Sequence, residues 1–290
     1  MEAALRAPST RRLGSLATAV LAALLLAALA LWLGQAHLIF QPARTLRAAE
    51  ASAPETVVRI PVRASGHAAE SLDGRWIPSA AGAKTVLYLH GNDDDVGIAE
   101  REVRPLRDLG LAVLLIDYRG FGRSDGAFPS EARIYEDAEA AWSYLVRERG
   151  IAPASVYLYG HSLGGAVAIE LADRHPEAAG LIVESSFTSI ADMARLDRRY
   201  KLLPVDLFLN QRFDSLARVR DLRLPVLFLH GTADELVPFA MGERLFGASG
   251  GDKRFVAIQG GRHDHDAAGE AILRRAIGAF THSEVFAGVY

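Results

Sequence analysis

Residues 155–165 read SVYLYGHSLGG, and most of the fold follows from this segment. The β-rich run Ser155–Tyr159 leads directly into a G-x-S-x-G motif at positions 160–164, and a segment at helical spacing continues to Arg174. A strand, a sharp glycine turn and a helix in this order place a serine hydroxyl at the edge of a sheet. We therefore interpret Ser162 as a nucleophile, against the alternative of a purely structural glycine turn.

Short β-rich runs alternate with longer helical segments on both sides of the motif, a pattern typical of an α/β fold whose mostly parallel sheet is covered by helices on both faces. Two early strands, Thr56–Val62 and Arg75–Pro78, are expected to form an antiparallel edge. The other predicted strands are Thr85–Leu89, Ala112–Asp117, Ser155–Tyr159, Gly180–Glu184, Pro225–His230 and Arg254–Ile258. The predicted helices are Val96–Asp108, Glu131–Arg149, Leu163–Arg174, Phe239–Phe246 and Ala267–Phe280. The alternation breaks over residues 185–224, which are predicted to form a cap or lid.

A serine nucleophile needs a base, and the base needs an orienting acid. Asp234 and His263 follow Ser162 in the chain order expected for this motif, each just after a predicted strand. The carboxyl ends of parallel strands meet at one edge, where ligands bind in open α/β sheets. His265 is an alternative base and Glu184 an alternative acid. His263 is favoured as the base because it directly follows a glycine loop. Asp234 is favoured as the acid because the end of its strand is the usual place of the acid in the chain order serine, acid, histidine.

The developing oxyanion needs preorganised donors. The backbone N–H of Leu163, directly after the nucleophile, is one predicted donor, and the N–H of Asn92 after the strand Thr85–Leu89 is the second.

Other polar side chains near the predicted strand ends are interpreted as structural. His90 and His230 are expected to be buried hydrogen-bonding residues, and His161 is expected to point away from the nucleophile. The run Asp93–Asp95 is predicted to be a solvated loop rather than a metal site, because no second cluster stands at ligand spacing.

The first forty residues differ from the rest of the chain. Leu13–Leu33 carries no charge, and its length of about 31 Å as a helix matches a bilayer core. We predict a cytoplasmic segment over residues 1–12, a transmembrane signal-anchor helix over 13–36 and a catalytic domain over 37–290. Arg6, Arg11 and Arg12 precede the apolar run, so the catalytic domain is expected on the non-cytoplasmic side. The alternative is secretion after cleavage near Ala36.

Composition excludes several functional classes. The chain has no cysteine, which removes disulfides, thiolate nucleophiles and cysteine-ligated metals. Its formal net charge of −3 provides no broad attraction for nucleic acid. No metal or organic cofactor is expected to be required.

Four stretches together resemble the α/β-hydrolase domain-containing proteins that carry one N-terminal anchor. They are LHGN at 89–92, IDYRGFGRSDG at 116–126, YGHSLGG at 159–165 and PVLFLHGTADELVP at 225–238, and the likeness covers residues 36–282. The resemblance implies the α/β-hydrolase fold and a serine hydrolase of ester or thioester bonds. Some members remove acyl groups from lipidated proteins, and Asp93–Asp95 departs from the small or amide residues usual there.

The expected function is therefore hydrolysis of a carboxylic ester or thioester through an acyl-enzyme on Ser162. The expected partners are a small-molecule or lipid-like ester, an acylated protein, and the membrane through the N-terminal helix. A serine peptidase on the same fold and a non-catalytic lipid-binding relative are the alternatives.

Overall fold

The computed structural model describes residues 10–42, 56–62, 70–96, 103–200, 204–264 and 266–282, and its centre is an eight-stranded sheet. The strand order is β1-β2-β4-β3-β5-β6-β7-β8. The strands are β1 (Thr56–Val62), β2 (Glu70–Ile77), β3 (Thr85–Leu89), β4 (Ala112–Ile116), β5 (Val156–His161), β6 (Gly180–Glu184), β7 (Val226–Gly231) and β8 (Lys253–Ile258). β2 runs antiparallel to both β1 and β4, and β3 to β8 are parallel. The predicted parallel sheet with an antiparallel edge is confirmed.

The helices cover both faces of this sheet. They are α1 (Thr10–Ile39), α2 (Arg104–Asp108), α3 (Glu131–Ser143), α4 (Leu163–Arg174), α5 (Ile190–Leu196), α6 (Val205–Phe208), α7 (Ser215–Arg218), α8 (Phe239–Ala248) and α9 (Ala267–His282). The helix predicted over Val96–Asp108 is seen as α2 at its end, and residues 97–102 lie outside the described residues.

β2 and α3 differ from their predicted bounds for identifiable reasons. β2 begins at Glu70 rather than Arg75, because its polar first half pairs with β1 residue by residue and Asp73 forms ion pairs with Arg59 and Arg75. The helix predicted to reach Arg149 ends as an α-helix at Ser143 and continues as a π-helical turn.

Alternate residues of each central strand pack on opposite faces of the sheet. Leu87 and Leu89 of β3 belong to the core beneath α3 and α4, whereas Val86 and Tyr88 belong to the core on the face that α9 covers. Burial on both faces explains why these strands read as continuous apolar runs rather than alternating ones.

Residues 185–224 contain the three short helices α5, α6 and α7 between β6 and β7. Ser189 caps α5 by accepting a hydrogen bond from the N–H of Asp192, and Asp214 caps α7 through the N–H of Ala217. The segment therefore consists of capped turns rather than one long helix.

α1 is apolar enough to cross a membrane over Thr18–Ile39, a length of 22 residues. Most of its described side chains are exposed, but its last turns pack on the body, where Gln35 and Phe40 are buried. The end of the apolar helix therefore packs directly against the α/β domain.

Candidate active site

The G-x-S-x-G motif forms a tight turn between β5 and α4. Ser162 has φ 53° and ψ −116°, a conformation that costs a non-glycine residue about 1–3 kcal/mol. A Cβ at Gly160 would lie 2.0 Å from the carbonyl oxygen of Gly164, and a Cβ at Gly164 would lie 1.9 Å from that of Leu89. Both flanking glycines are thus required by backbone atoms, which explains the motif physically.

The structure brings Ser162, His263 and Asp234 together. His263 Nε2 lies 3.1 Å from Ser162 Oγ, and His263 Nδ1 lies 2.8 Å from Asp234 Oδ2. These separations are hydrogen-bond distances, so the imidazole can bridge the hydroxyl and the carboxylate.

Two loops place the base beside the acid. Asp234 follows β7 and His263 follows β8, and a Cβ at Gly231 would lie only 2.3 Å from the carbonyl oxygen of Gly261. The N–H of Ala233 donates to the same oxygen over 2.9 Å. This close contact between the loops fixes the separation of His263 and Asp234.

Asp234 is held by three groups besides His263. Its Oδ1 accepts hydrogen bonds from the N–H groups of Leu236 and Val237, at 2.9 and 2.8 Å. His230 Nε2 lies 3.3 Å from its Oδ2. Burial alone would raise the pKa of Asp234, but the hydrogen bonds from His230, His263 and Val237 outweigh burial and hold that pKa well below its ordinary value. The carboxylate therefore stays ionised and can orient an imidazolium.

His230 has a larger role than the sequence analysis assigned. It is buried, as expected, and its Nε2 also lies 2.9 Å from the carbonyl oxygen of Val237. Because that carbonyl can only accept, Nε2 carries the proton and faces the Asp234 carboxylate as a donor. The signal in the sequence is the spacing of four residues between His230 and Asp234 at the end of one strand.

The alternative acid and base are placed differently. Glu184 is buried and accepts a short hydrogen bond from the hydroxyl of Tyr159. The His263 ring nitrogens lie at hydrogen-bond distance from Asp234 and Ser162, so Asp234 rather than Glu184 is the acid beside the base. His265 lies outside the described residues.

His90, directly after β3, and His161, at the end of β5, both contact neighbouring aromatic rings. Burial lowers the pKa of His90 despite the nearby aspartates, and its ring packs against Tyr118 and Phe121. The His161 ring contacts the His263 ring at a tilt of 42° with 5.0 Å between centroids, and its Nε2 lies 3.4 Å from the His263 carbonyl oxygen. It therefore contacts the base loop, a contact that the sequence analysis did not predict.

Leu163 and Asn92 line the same cleft as Ser162. The Asn92 side chain is engaged elsewhere: its amide donates to the carbonyl of Ile39 over 2.8 Å and accepts from the N–H of Gln41 over 3.2 Å. Among the described residues, neither the Asn92 N–H nor the Leu163 N–H donates to a protein acceptor. These are the two N–H groups that the sequence analysis predicted as oxyanion donors.

The expectation that Asp93–Asp95 faces water is wrong for two of the three residues. Asp93 is exposed, but Asp94 and Asp95 are buried. The loop turns inward because the N–H of Val96 donates to Asp117 Oδ1 over 2.7 Å. Asp117 Oδ2 also accepts from the N–H of Arg123 over 3.1 Å, so one carboxylate ties two loops together. Burial raises the pKa of Asp117 to about 6.

No group of three or more histidine, aspartate or glutamate side chains is placed to hold a metal ion in the described ranges.

Ser162 opens onto a cleft of about 550 Å³ with mainly apolar walls. One wall comes from α5 and α6, including Met193, Val205 and Phe208. The lining also includes Leu31 and Leu38 of α1, which the sequence analysis treated only as an anchor. A second cavity of about 530 Å³ reaches His263 and is lined by acidic and aromatic residues.

Known proteins resemble both the sequence and the fold. A family model described as "Serine aminopeptidase, S33" matches residues 81–213. An uncharacterized protein of Mycobacterium tuberculosis is 37% identical over 195 residues, 67% of this chain and 68% of that protein. Lysophosphatidylserine lipase ABHD12 of Danio rerio is 34% identical over 61% of this chain and 51% of its own length. The structure of Est1E from Butyrivibrio proteoclasticus with bound ferulic acid matches with a TM-score of 0.61 at 21% identity, over 76% of this chain and 97% of that one.

Proposed function

This chain belongs to the family of α/β-hydrolase domain-containing proteins, and from that premise we propose that it hydrolyses carboxylic esters or thioesters through an acyl-enzyme on Ser162. One observation carries the proposal: His263 bridges Ser162 Oγ and the Asp234 carboxylate at the floor of an apolar cleft. Because the family contains esterases and lipases, hydrolysis is the expected reaction class.

The geometry supports a two-step acyl transfer. His263 Nε2 takes the proton from Ser162 Oγ as the oxygen attacks the acyl carbonyl, and Asp234 stabilises the resulting imidazolium. The N–H groups of Leu163 and Asn92 stabilise the oxyanion. His263 then returns the proton to the departing alcohol or thiol. A water molecule, deprotonated by the same imidazole, releases the acid and regenerates the serine.

The cleft favours an acyl substrate over a peptide. Among its described lining residues, the charged side chains are Asp197 and Arg199, and these pair with each other at 2.5 Å. A peptide terminus would need an unpaired charge, whereas an acyl chain needs apolar walls. The lipase activity named for the fish relative agrees with a lipid-like substrate, and the acyl group of an acylated protein has the same chemistry.

We propose that α1 anchors this domain to a membrane as a single span, with the site on the non-cytoplasmic side. The apolar run of 22 residues and the arginines that precede it support this topology. Resistance of the protein to alkaline extraction, together with an intact N-terminus in the mature chain, would support an anchor. A mature chain that begins after Ala36 would refute it.

The test of the function is covalent labelling of the full chain with a fluorophosphonate. Wild type should be labelled and Ser162→Ala should not. The control Ser79→Ala, which removes an exposed serine distant in sequence from Ser162, should be labelled as wild type is. Turnover of p-nitrophenyl acetate and palmitate should then greatly exceed turnover of aminoacyl nitroanilides. Labelling that survives in Ser162→Ala, or faster anilide turnover, would overturn the proposal.

A further inference from the structure

The end of α1 is fixed to the catalytic body by hydrogen bonds of the buried Gln35 side chain and of Asn210. Gln35 Oε1 accepts from the N–H of Asn210 over 2.8 Å, and Gln35 Nε2 donates to the carbonyl oxygen of Phe208 over 3.1 Å. Asn210 in turn donates to the carbonyl oxygen of Trp32 over 3.0 Å. These bonds join α1 to residues beside α6, more than 170 positions later in the chain. Phe40 then enters the core directly, where its ring meets that of Phe213.

The face of α1 that points toward α6 also lines the cleft. Leu31, Gln35 and Leu38 follow one another at helical spacing, so they lie on one face. Leu31 and Leu38 lie within the same 22 residues that are apolar enough to cross a membrane. The wall of the cleft and the membrane span are therefore one helix. At 1.5 Å per residue, the part of this wall from Leu31 to Leu38 extends about 10 Å along the span.

Exposed apolar side chains lie in and beside the cleft. Phe208 and Leu236 line it and are 44% and 57% exposed. Leu196 and Leu207, in the helices α5 and α6 that supply one wall, are 50% and 80% exposed. Apolar surface costs about 25 cal/mol per Å² in water, so this group of side chains favours an apolar covering. Because α1 lines the same cleft at the end of an apolar span, the surface that fits these side chains is the lipid leaflet.

We propose that α1 is both the anchor and one wall of the acyl-binding site, and that a single acyl chain enters the cleft sideways from the leaflet along the Leu31–Leu38 face. This proposal rests on the proposed function, because the chain must end in an ester or thioester carbonyl at Ser162. It assigns the substrate class as single-chain amphiphiles resident in the bilayer. It also requires α1 to stay on the mature protein, since cleavage after Ala36 would remove Leu31 and Gln35 from that wall.

The experiment uses the full chain reconstituted in dioleoylphosphatidylcholine vesicles that contain p-nitrophenyl palmitate, with p-nitrophenyl acetate in the buffer. Leu38→Trp should lower the palmitate-to-acetate ratio of kcat/KM about tenfold, as expected if the larger ring displaces about two methylenes of the chain. Leu33→Trp is the matched control, since Leu33 is about as exposed as Leu38 but does not line the cleft. It should keep the wild-type ratio.

Two further measurements test lateral entry along α1. Leu31→Trp should lower the same ratio and replaces Leu38→Trp if that variant loses fluorophosphonate labelling. The palmitate rate should follow the mole fraction of palmitate ester in the vesicles rather than its bulk concentration. An unchanged ratio in a labelled Leu38→Trp or Leu31→Trp protein, or dependence on bulk concentration, would overturn lateral entry along α1. Absence of wild-type labelling and of acetate turnover would instead refute the hydrolase itself.

Discussion

Substitution of His230 tests whether this side chain positions Asp234 without itself contacting Ser162. His230 Nε2 donates to the carbonyl of Val237 and faces Asp234 Oδ2, and its side chain is buried. His230→Leu removes both interactions, whereas His230→Gln can present an amide N–H near the former position of Nε2. We therefore expect a strong effect from the leucine variant and substantial rescue by the glutamine variant.

The magnitude follows from the groups that are left without a partner. A buried carbonyl that loses its donor costs about 1–3 kcal/mol, so His230→Leu should lower the free energy of unfolding by about 2 kcal/mol. For a domain of this size, that loss lowers the Tm by about 4–8 °C. Asp234 also loses one of its donors, which raises the pKa of the carboxylate toward its ordinary value. Looser alignment of the acid should lower kcat by about tenfold.

The assay combines thermal unfolding with kcat for p-nitrophenyl acetate. His175→Leu is the control, since His175 also contacts a carboxylate, Glu139 at 2.8 Å, but lies away from the cleft. It should leave kcat unchanged. If His230→Leu matches wild type in kcat, or if His230→Gln falls as far as His230→Leu, then His230 does not position Asp234.

Three further perturbations test the same geometry. Ser162→Gly and Ser162→Ala should both abolish turnover. The free energy of unfolding in urea should be about 1 kcal/mol higher for the glycine variant than for the alanine variant, because glycine relieves the strain of the positive φ. Equal stability of the two variants would argue against strain at the turn. Gly164→Ala should abolish fluorophosphonate labelling because its Cβ would meet the Leu89 carbonyl. The control Gly247→Ala, whose Cβ would have no atom within 4 Å, should label normally and raise the free energy of unfolding by up to about 1 kcal/mol. Normal labelling of Gly164→Ala would contradict the close approach. Folded Asp234 has a lower pKa than unfolded Asp234, whose pKa is about 4. The ionised carboxylate therefore stabilises the fold above that pH, and this stabilisation is lost progressively as the pH falls below it. The difference in free energy of unfolding between wild type and Asp234→Asn should narrow from about pH 5 to about pH 3 in urea titrations, and a difference that widens on acidification would refute the sign.

The sequence predicted the parts of the fold that depend on local patterns. Buried parallel strands such as Thr85–Leu89 and Gly180–Glu184 have the predicted bounds, because burial on both faces requires continuous apolar runs. The turn at Ser162 was predictable for a similar reason, since the two flanking glycines are required by contacts within a few residues or with an adjacent strand.

Features that depend on distant partners were not visible in the sequence. Asp94 and Asp95 read as solvated because charged residues are seldom buried, and nothing local shows that Asp117 draws their loop inward. The polar first half of β2 is a strand because of its pairing with β1. Gln35 read as part of a cleavage site or an anchor end, whereas its bonding partners lie near residue 210.

The order of the strands along the chain also bears on biosynthesis. Ser162 follows β5, while Asp234 and His263 follow β7 and β8, the last two strands of the described sheet. A nascent chain on the ribosome therefore lacks the proposed base of Ser162 until the segment after β8 has emerged. Termination before residue 263 would leave Ser162 without this imidazole, so under the proposed function such a truncated product should not be labelled by a fluorophosphonate.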